Sequence, residues 1–251
     1  MNLSVIIPSC GLTALLRFCI FQLQRSLEMA SLSQWNIVIV DNATAFPYQV
    51  SDFLPDPALK ILRLDRPHSF SAACNRGAAA APAERYLFLN NDVLLHPLAL
   101  REMLALAART TAAICGTRLI YSDDTIQHHG IRFDGGKRGP YHEDHRLPNA
   151  AVPRDLCQYQ AVTGAVMLIE HDLFQTLGGF DEVFPFGHED VDFCLRARQI
   201  GKTIVCSQAV DSIHFNSTTS QGRPEAYEAS RVIFFERWGG KFSIDGSEAD
   251  E

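Results

Sequence analysis

The stretch RYLFLNNDV, residues 85–93, carries an unbroken apolar run that stops at Asn90, Asn91 and Asp92. Strands buried on both faces of a sheet are continuously apolar, and polar residues follow where each strand leaves the sheet. The same pattern occurs in LSVIIP (residues 3–8), WNIVIVDN (35–42) and LKILRLD (59–65). Helical stretches lie between these runs, at LTALLRFCIFQLQRSL (12–27) and SAACNRGAAAA (71–81). The alternation predicts an α/β fold with a mostly parallel central sheet flanked by helices.

Two acidic residues, Asp41 and Asp92, stand at the ends of predicted strands. Ligands of open α/β sheets bind outside the carboxyl ends of the strands, so we expect both acids at one functional edge. Neither GxGxxG nor GxxxxGK[ST] occurs in this βαβ series, which excludes the common dinucleotide fingerprint and the P-loop. Any nucleotide must be held in another way.

Composition limits the class of protein. With 251 residues and 47% hydrophobic content the chain can bury a sizeable core, and its net charge of -7 argues against broad nucleic-acid binding. Its seven cysteines form no CxxC pair, a pattern typical of reduced, buried thiols in a cytoplasmic protein. We find no signal-peptide pattern and no apolar run near the roughly 18 residues of a membrane span. A membrane would therefore be met only at its surface.

The second half of the chain begins with an irregular segment. Residues 121–160 are polar and rich in Gly, Pro and His, which is typical of a binding loop or lid. Four histidines there, with Glu143 and Asp144, offer ligand types for zinc, but without thiolates or a fixed motif the signal is weak; they are His128, His129, His142 and His145. Beyond this segment the sequence predicts three further elements: a strand at AVTGAVMLI (161–169), a short helix at EHDLFQTLGG (170–179) and a last helix starting at Pro224.

The segment GHEDVDFCLRARQIG, residues 187–201, places three carboxylates at the start of a predicted helix that stops at Gly201. Glu189 and Asp190 could cap this helix and complement its dipole, and Asp192 could pair with Arg196 one turn on. A carboxylate at a partly desolvated helix start can instead serve as a general base. The sequence leaves both interpretations open.

Nine segments appear in an order that resembles glycosyltransferase family 2, most closely its bacterial rhamnosyltransferase-like branch. The resemblance implies a GT-A fold, with a Rossmann-like nucleotide-binding half and an acceptor-side half, in an inverting enzyme that uses nucleotide-diphosphate sugars. We therefore expect one domain over residues 1–240, with halves at 1–95 and 96–240, and an acidic tail at 241–251. The segments are LSVIIPSC, IVIVDNAT, FSAACNRGAAAA, YLFLNNDV, IQHHGIRF, AVTGAVMLI, LGGFDEVF, HEDVDFCLRARQIGKTIV and IHFNSTTS.

The same resemblance assigns nucleotide contacts. Pro8 and Cys10 match the segment that wraps the base, Asp41 the aspartate that contacts the nucleoside, and Asn75 the asparagine of an Asn-x-Gly step. Asn91 matches a ribose or phosphate neighbour. Structural alternatives exist, because Asp41 could cap the following turn and Asn75 could simply interrupt the Ala-rich helix.

It also assigns the chemistry. Asp92 matches the metal-binding acid, His214 a histidine that completes the metal site, and Asp190 the catalytic base of a Glu-Asp motif that includes Glu189. A divalent cation suits a diphosphate leaving group, and an imidazole ligand shifts the preference from Mg²⁺ toward Mn²⁺. Asp92 could instead start a turn and His214 could be a core histidine. Asn90 replaces the usual first aspartate of the metal motif.

The expected reaction is inverting, metal-dependent transfer of a sugar from a dTDP- or UDP-sugar to a saccharide or lipid-linked saccharide, with no nucleic-acid partner. The expected location is cytoplasmic, with peripheral contact at the inner face of the cell membrane. A catalytically silent nucleotide-sugar-binding scaffold is the alternative that Asn90 favours. A nucleotidyltransferase is less consistent, because PSCGLTALLRF (8–18) offers only one glycine and one arginine for a triphosphate. The oligomeric state stays open.

Overall fold

The structure is a computed structural model that describes residues 2–134, 139–155, 158–215 and 223–242. Its strands are β1 (Asn2–Ser9), β2 (Gln34–Asp41), β3 (Leu59–Arg63), β4 (Arg85–Leu89), β5 (Val93–Leu94), β6 (Ile114–Ile120), β7 (Ile126–His128), β8 (Ile131–Phe133), β9 (Pro140–His142), β10 (Val166–Glu170) and β11 (Ile204–His214). Its α-helices are α1 (Thr13–Met29), α2 (Phe70–Ala80), α3 (Ala99–Thr110), α4 (His171–Thr176), α5 (Glu189–Gln199) and α6 (Pro224–Trp238).

Within these described ranges, nine strands form one sheet in the order β3-β2-β1-β4-β10-β6-β11-β5, with β7 added beside β6. The pairs β1–β2, β1–β4, β2–β3 and β6–β11 are parallel. β10 runs antiparallel between β4 and β6 and joins the two parallel sections. The predicted mostly parallel sheet is confirmed, and it runs without a break through both predicted halves of the chain.

Helices cover both faces of the sheet. On β1, Val5 and Ile7 pack with α1 and α3, whereas Ile6 packs with α2, α4, α5 and α6 on the opposite face. The alternation follows from the two-residue period of a strand, which sends neighbouring side chains to opposite faces. Both sets are buried, which explains why the strands are continuously apolar in the sequence.

The predicted elements of the first half and the two later helices agree with the structure. α6 begins at Pro224, and α5 ends just before Gly201, whose φ of +77° suits a left-handed helix stop. Among the described residues, no helix is both long enough and apolar enough to span a membrane.

The irregular character predicted for residues 121–160 is wrong in part. β7 joins the main sheet, and β8 and β9 form a two-stranded ladder, with Ile131 and Phe133 of β8 buried at 3% and 0% exposure. The strands are only three residues long, too short for an alternating pattern to stand out in the sequence.

The predicted tail falls mostly outside the described residues. Phe242, near its start, packs on Phe133 with ring centroids 4.7 Å apart. Of the cysteines in the described part, Cys10 is exposed and the others are buried with free thiols, namely Cys19, Cys74, Cys115, Cys194 and Cys206. Cys157 lies outside the described residues.

Candidate active site

A cavity of about 270 Å³ opens where β1 and β4 end and α5 begins. It lies at the carboxyl edge of the sheet, where the sequence places a ligand site. The structure brings most of the predicted site residues together here. Those that line the cavity are Pro8, Cys10, Asn91, Asp92, Glu189, Asp190 and His214, and Asn90, which replaces the usual first aspartate, lines it as well.

Asp190 is held by backbone donors. The Gly164 N–H donates to Asp190 Oδ2 at 2.7 Å, and the Val191 N–H donates to Oδ1 at 2.8 Å. Gly187 and His188, just before the helix, have φ values of +80° and +70°, and the left-handed region is unfavourable for a histidine. Each carboxylate oxygen keeps a lone pair for a further proton donor. The carboxylate is thereby fixed at the cavity wall and able to accept a proton.

Glu189 lies beside this carboxylate but in a different environment. Its side chain is buried, and its Oε2 has no hydrogen-bond partner within the described part of the chain. Burial, and then the neighbouring charge of Asp190, raise the pKa of Glu189 to about 8. This environment therefore favours the protonated form of the Glu189 carboxyl group.

Asp192 has a structural role. Its fully buried carboxylate accepts a bond from Arg196 Nε at 2.8 Å, which confirms the predicted pair one turn apart. The other oxygen accepts bonds from Arg237 Nη1 and Trp238 Nε1, each at 2.8 Å. Asp192 thus joins α5 to the end of α6, and the three acids of this segment lie in three different environments.

Asp92 and His214 converge within the cavity. His214 Nε2 lies 3.1 Å from Asp92 Oδ1, and its Nδ1 lies 2.6 Å from Gln127 Oε1. A carbonyl oxygen only accepts, so Nδ1 carries the proton and Nε2 faces the carboxylate. A proton or a divalent cation between the two groups would stabilise this arrangement. Gln127, on β7, was not singled out by the sequence analysis.

The donor set fits a cation only with help from a substrate. No group of three or more His, Cys, Asp or Glu side chains that could hold a metal ion occurs within residues 2–134, 139–155, 158–215 and 223–242. Asp92 and His214 could supply two ligands, and oxygens of a bound diphosphate would have to supply others. The same finding gives no support to zinc at the four histidines, where His128 Nδ1 instead lies 3.0 Å from His142 Nδ1.

The loop after β1 forms another wall of the cavity. Asn91 Nδ2 donates to Ser9 Oγ at 2.8 Å and to the Gly11 carbonyl at 3.1 Å, so Asn91 fixes the loop that carries Cys10. Pro8 and Cys10 both face the cavity. The contacts of Pro8 and Cys10 with a nucleotide base stay a prediction.

Asp41 is not among the residues that line the cavity. Its buried carboxylate accepts bonds from Thr44 N and Oγ1 at 2.9 and 2.7 Å and from Arg63 Nη1 at 2.6 Å. Burial alone would raise the pKa of Asp41, but these bonds and one from the Tyr48 N–H outweigh it and lower the pKa. The structure favours the turn-capping alternative, and the nucleoside contact stays a prediction.

Asn75 also lies outside the cavity lining. Its Nδ2 donates to the Phe180 carbonyl at 2.8 Å, and its Oδ1 accepts the Phe180 N–H at 3.0 Å. Both ends of the amide are used to join α2 to the loop after α4. This geometry gives no support to the predicted nucleotide contact and assigns the side chain a structural role different from either sequence interpretation.

Several lining residues were not identified from the sequence. Arg223, just before α6, brings a permanent positive charge to the cavity, and Phe70 and Phe186 add apolar walls. Asn42 and His68 line it too, and Asn42 Nδ2 donates to the His68 carbonyl at 3.0 Å. A single arginine after a polar stretch of sequence carries no recognisable pattern, so no sequence signal could have found Arg223.

Residues 4–164 match the sequence profile of a family described as Glycosyl transferase family 2. The match spans more than half of the chain and includes most of β1, all of β4 and the Gly164 whose N–H donates to Asp190. The chain belongs to glycosyl transferase family 2. The family resemblance seen in the sequence is thereby confirmed.

Known proteins that resemble this family 2 chain are longer than it is. It is 29% identical over 237 residues to the O-antigen biosynthesis protein RfbC of Myxococcus xanthus, which covers 90% of this chain and 18% of that protein. It is 25% identical over 176 residues to the low-salt glycan biosynthesis hexosyltransferase Agl10 of Haloferax volcanii, covering 67% of this chain and 54% of that protein. Neither name specifies rhamnosyl transfer, so that branch stays a prediction.

Solved structures share the fold of this glycosyltransferase. GalNAc-T7, crystallised with UDP, GalNAc and Mn²⁺, matches with a TM-score of 0.67 and 13% identity over 93% of this chain and 47% of that one. TarS 1-349 of S. aureus in complex with UDP-GlcNAc matches with a TM-score of 0.61 and 15% identity over 97% of this chain and 68% of that one. At these identities the likeness supports the GT-A fold.

Proposed function

We propose that this chain transfers a sugar, with inversion, from a dTDP- or UDP-sugar to a saccharide or lipid-linked saccharide acceptor. The observation that carries the proposal is a single cavity containing a backbone-held carboxylate, Asp190, together with the Asp92–His214 pair. The names of the relatives, which refer to O-antigen and glycan biosynthesis, favour this acceptor class. The rhamnosyltransferase-like branch is part of the proposal.

Asp190 acts as the general base. The acceptor hydroxyl gives its proton to a carboxylate oxygen of Asp190 while the acceptor oxygen forms a bond to the sugar C1. The bond between C1 and the diphosphate oxygen breaks, and its electron pair leaves with the diphosphate. One base is sufficient for inversion, because acceptor and leaving group occupy opposite faces of the sugar. The two backbone N–H groups keep the carboxylate in place without side-chain reorganisation.

Glu189 has a different part in this reaction. Because it is protonated at neutral pH, it cannot take the acceptor proton, and it donates a hydrogen bond to the donor sugar instead. Neighbouring carboxyl groups in different environments are a common way to divide acid and base roles.

Asp92 and His214 would hold a divalent cation, Mn²⁺ or Mg²⁺, which would supply positive charge to the departing diphosphate. Gln127 fixes the His214 tautomer, as outer-shell partners of ligating histidines do. Arg223 adds a second, permanent positive charge at the same cavity. Pro8, Cys10 and Asn91 position the nucleotide along the loop after β1.

The proposed setting is the cytoplasm, with contact at the inner face of the membrane through a lipid-linked acceptor. Nucleotide sugars and lipid-linked saccharides meet at that surface. The net charge of -7 makes nucleic acid an unsuitable partner.

Calorimetric titration with UDP, dTDP, GDP and CDP, each with and without Mn²⁺, tests the donor site. We expect one nucleotide to bind in a metal-dependent way and Asp92→Ala to lose that dependence. Asp155→Ala, at an exposed acid outside the cavity, is the matched control. Absence of binding by all four nucleotides would overturn the proposal.

A second candidate is a catalytically silent relative, which Asn90 in place of the usual aspartate favours. A chain that binds a nucleotide sugar yet neither transfers nor hydrolyses the sugar, with any acceptor offered, would support that candidate instead.

A further inference from the structure

A second, smaller cavity of about 200 Å³ adjoins the candidate active site. Gly187 and Asp190 line both cavities and form the wall between them. The proposed base therefore faces two spaces at once. The larger space contains the residues assigned to the nucleotide and the cation, so the smaller one is available to the other substrate.

Aromatic rings build the smaller cavity. Tyr141 of β9 and Tyr227 of α6 line it with exposures of 42% and 47%. His188 lies beside Tyr227 with ring centroids 5.1 Å apart, and His142 completes the set. A Cβ added to Gly187 would lie 3.1 Å from Tyr227 Cδ2, so the tyrosine ring packs directly on the glycine backbone. The rings come from three separate elements that meet at the base.

The two imidazoles that line this cavity are neutral, and one of them has a ring nitrogen that is unpaired within the described part of the chain. His188 is 9% exposed, and its Nδ1 has no hydrogen-bond partner among the residues that the structure describes. Burial lowers the pKa of His142 to about 4 and also lowers the pKa of His188, so both imidazoles are neutral at pH 7. Neutral imidazoles exchange hydrogen bonds with hydroxyl groups.

The charge of the described lining residues does not favour an anionic occupant. Within the described residues, neither lysine nor arginine lines this cavity, and Asp190 is its acidic member. A phosphate or carboxylate group would face a carboxylate without a compensating cation. The volume is below the roughly 300–1,000 Å³ typical of drug-sized ligand sites, which suits a single ring. Aromatic faces with polar tips match a ring that has apolar C–H faces and hydroxyl edges.

We infer that this second cavity is a subsite for a neutral pyranose ring of the acceptor, stacked on Tyr141 and Tyr227, which presents its hydroxyl to Asp190. The inference rests on the proposed function, because it assigns the acceptor to a glycosyl transfer at the same base. It adds that the accepting sugar is neutral and that two tyrosines determine its affinity.

Ligand-observed NMR titration with methyl pyranosides tests this subsite. The probes are the methyl glycosides of glucose, galactose, N-acetylglucosamine and L-rhamnose, added to protein saturated with Mn²⁺ and the nucleotide that it binds. We expect at least one to bind, and Tyr227→Ala and Tyr141→Ala each to weaken that binding by about tenfold, the loss expected for one aromatic contact. Tyr227→Phe keeps the ring and should remain within about threefold. Tyr121→Ala, at a tyrosine outside both cavities, is the matched control.

Nucleotide affinity, measured on every sample, separates the two proposals. If the wild-type chain binds no nucleotide, the proposed function fails and this inference fails with it. If nucleotide binds but no pyranoside does, or if the alanine variants bind the sugar as the wild type does, the subsite alone is overturned. Unchanged nucleotide affinity in Tyr227→Ala and Tyr141→Ala shows that both variants are folded, so a lost sugar interaction then supports the inference.

Discussion

Replacing Glu189 by glutamine is expected to remove a large part of the pH dependence of stability. In the unfolded chain this carboxyl ionises with a pKa near the ordinary value of 4.5, whereas the folded chain keeps the proton until about pH 8. A raised pKa in the folded state contributes stability below pH 4.5, and that contribution is lost as pH rises through 8. The loss is about 1.4 kcal/mol per pH unit inside this window, or roughly 3–4 kcal/mol between pH 5 and pH 8.

Urea denaturation of the wild type and Glu189→Gln at pH 5, 6, 7 and 8 measures this difference directly. Glutamine cannot ionise, so the free energy of unfolding of the variant should exceed that of the wild type by a margin that widens with pH. Titrating groups distant from Glu189 contribute equally to both chains and cancel in the comparison, whereas the neighbouring Asp190 is coupled to Glu189 and forms part of the measured difference. Glu236→Gln, at an exposed position of α6, controls for the loss of one acidic group. Parallel pH profiles for the wild type and Glu189→Gln would refute the protonated state of Glu189.

Three further outcomes are expected. Asp190→Asn should lower the rate of sugar transfer by about 10²–10⁴-fold, because an amide cannot take the acceptor proton, while calorimetry shows unchanged nucleotide affinity. Gln127→Ala should raise the Mn²⁺ concentration needed for half-maximal nucleotide binding by about 10–100-fold, because His214 loses its orienting partner. Asn75→Ala should lower the free energy of unfolding in urea by about 1–3 kcal/mol, because the Phe180 backbone loses its buried partner.

Contrary results would be specific. Undiminished transfer by Asp190→Asn would mean that another residue is the general base. An unchanged Mn²⁺ requirement in Gln127→Ala would indicate that His214 does not bind the cation. Weakened nucleotide binding by a fully stable Asn75→Ala would return Asn75 to the nucleotide contact that the family resemblance implies.

Much of the fold follows from the sequence because strands buried on both faces leave continuous apolar runs. β1 to β4 could be placed from those apolar runs, and α1 and α2 from the helical stretches between them. β8 and β9 could not, because each has three residues and is stabilised by pairing across the segment between them. The antiparallel direction of β10 is also a tertiary property, since its apolar run is the same in either direction.

The site could be predicted as a set of residues but not as a set of roles. Asp41 ends β2 as expected, yet Arg63 is its register partner on parallel β3 and binds its carboxylate. Asn75 meets a backbone 105 residues further along the chain. Gln127 reaches His214 across 87 residues. Contacts at such separations depend on how the sheet assembles, and no local pattern reports them.

The buried carboxylate of Asp192 sets a limit on where this catalytic unit can be divided from a longer protein. Two of its three side-chain donors, Arg237 and Trp238, lie at the end of α6, well beyond residue 164 where the family match stops. In a fragment that stops before Arg237, the buried Asp192 carboxylate would keep Arg196 as its remaining side-chain donor. Removing one partner of a buried ion pair in this way lowers stability by about 3–5 kcal/mol. An expression boundary placed after Trp238 keeps the helix that neutralises this buried charge, whereas one placed at residue 164, where the family match stops, removes it.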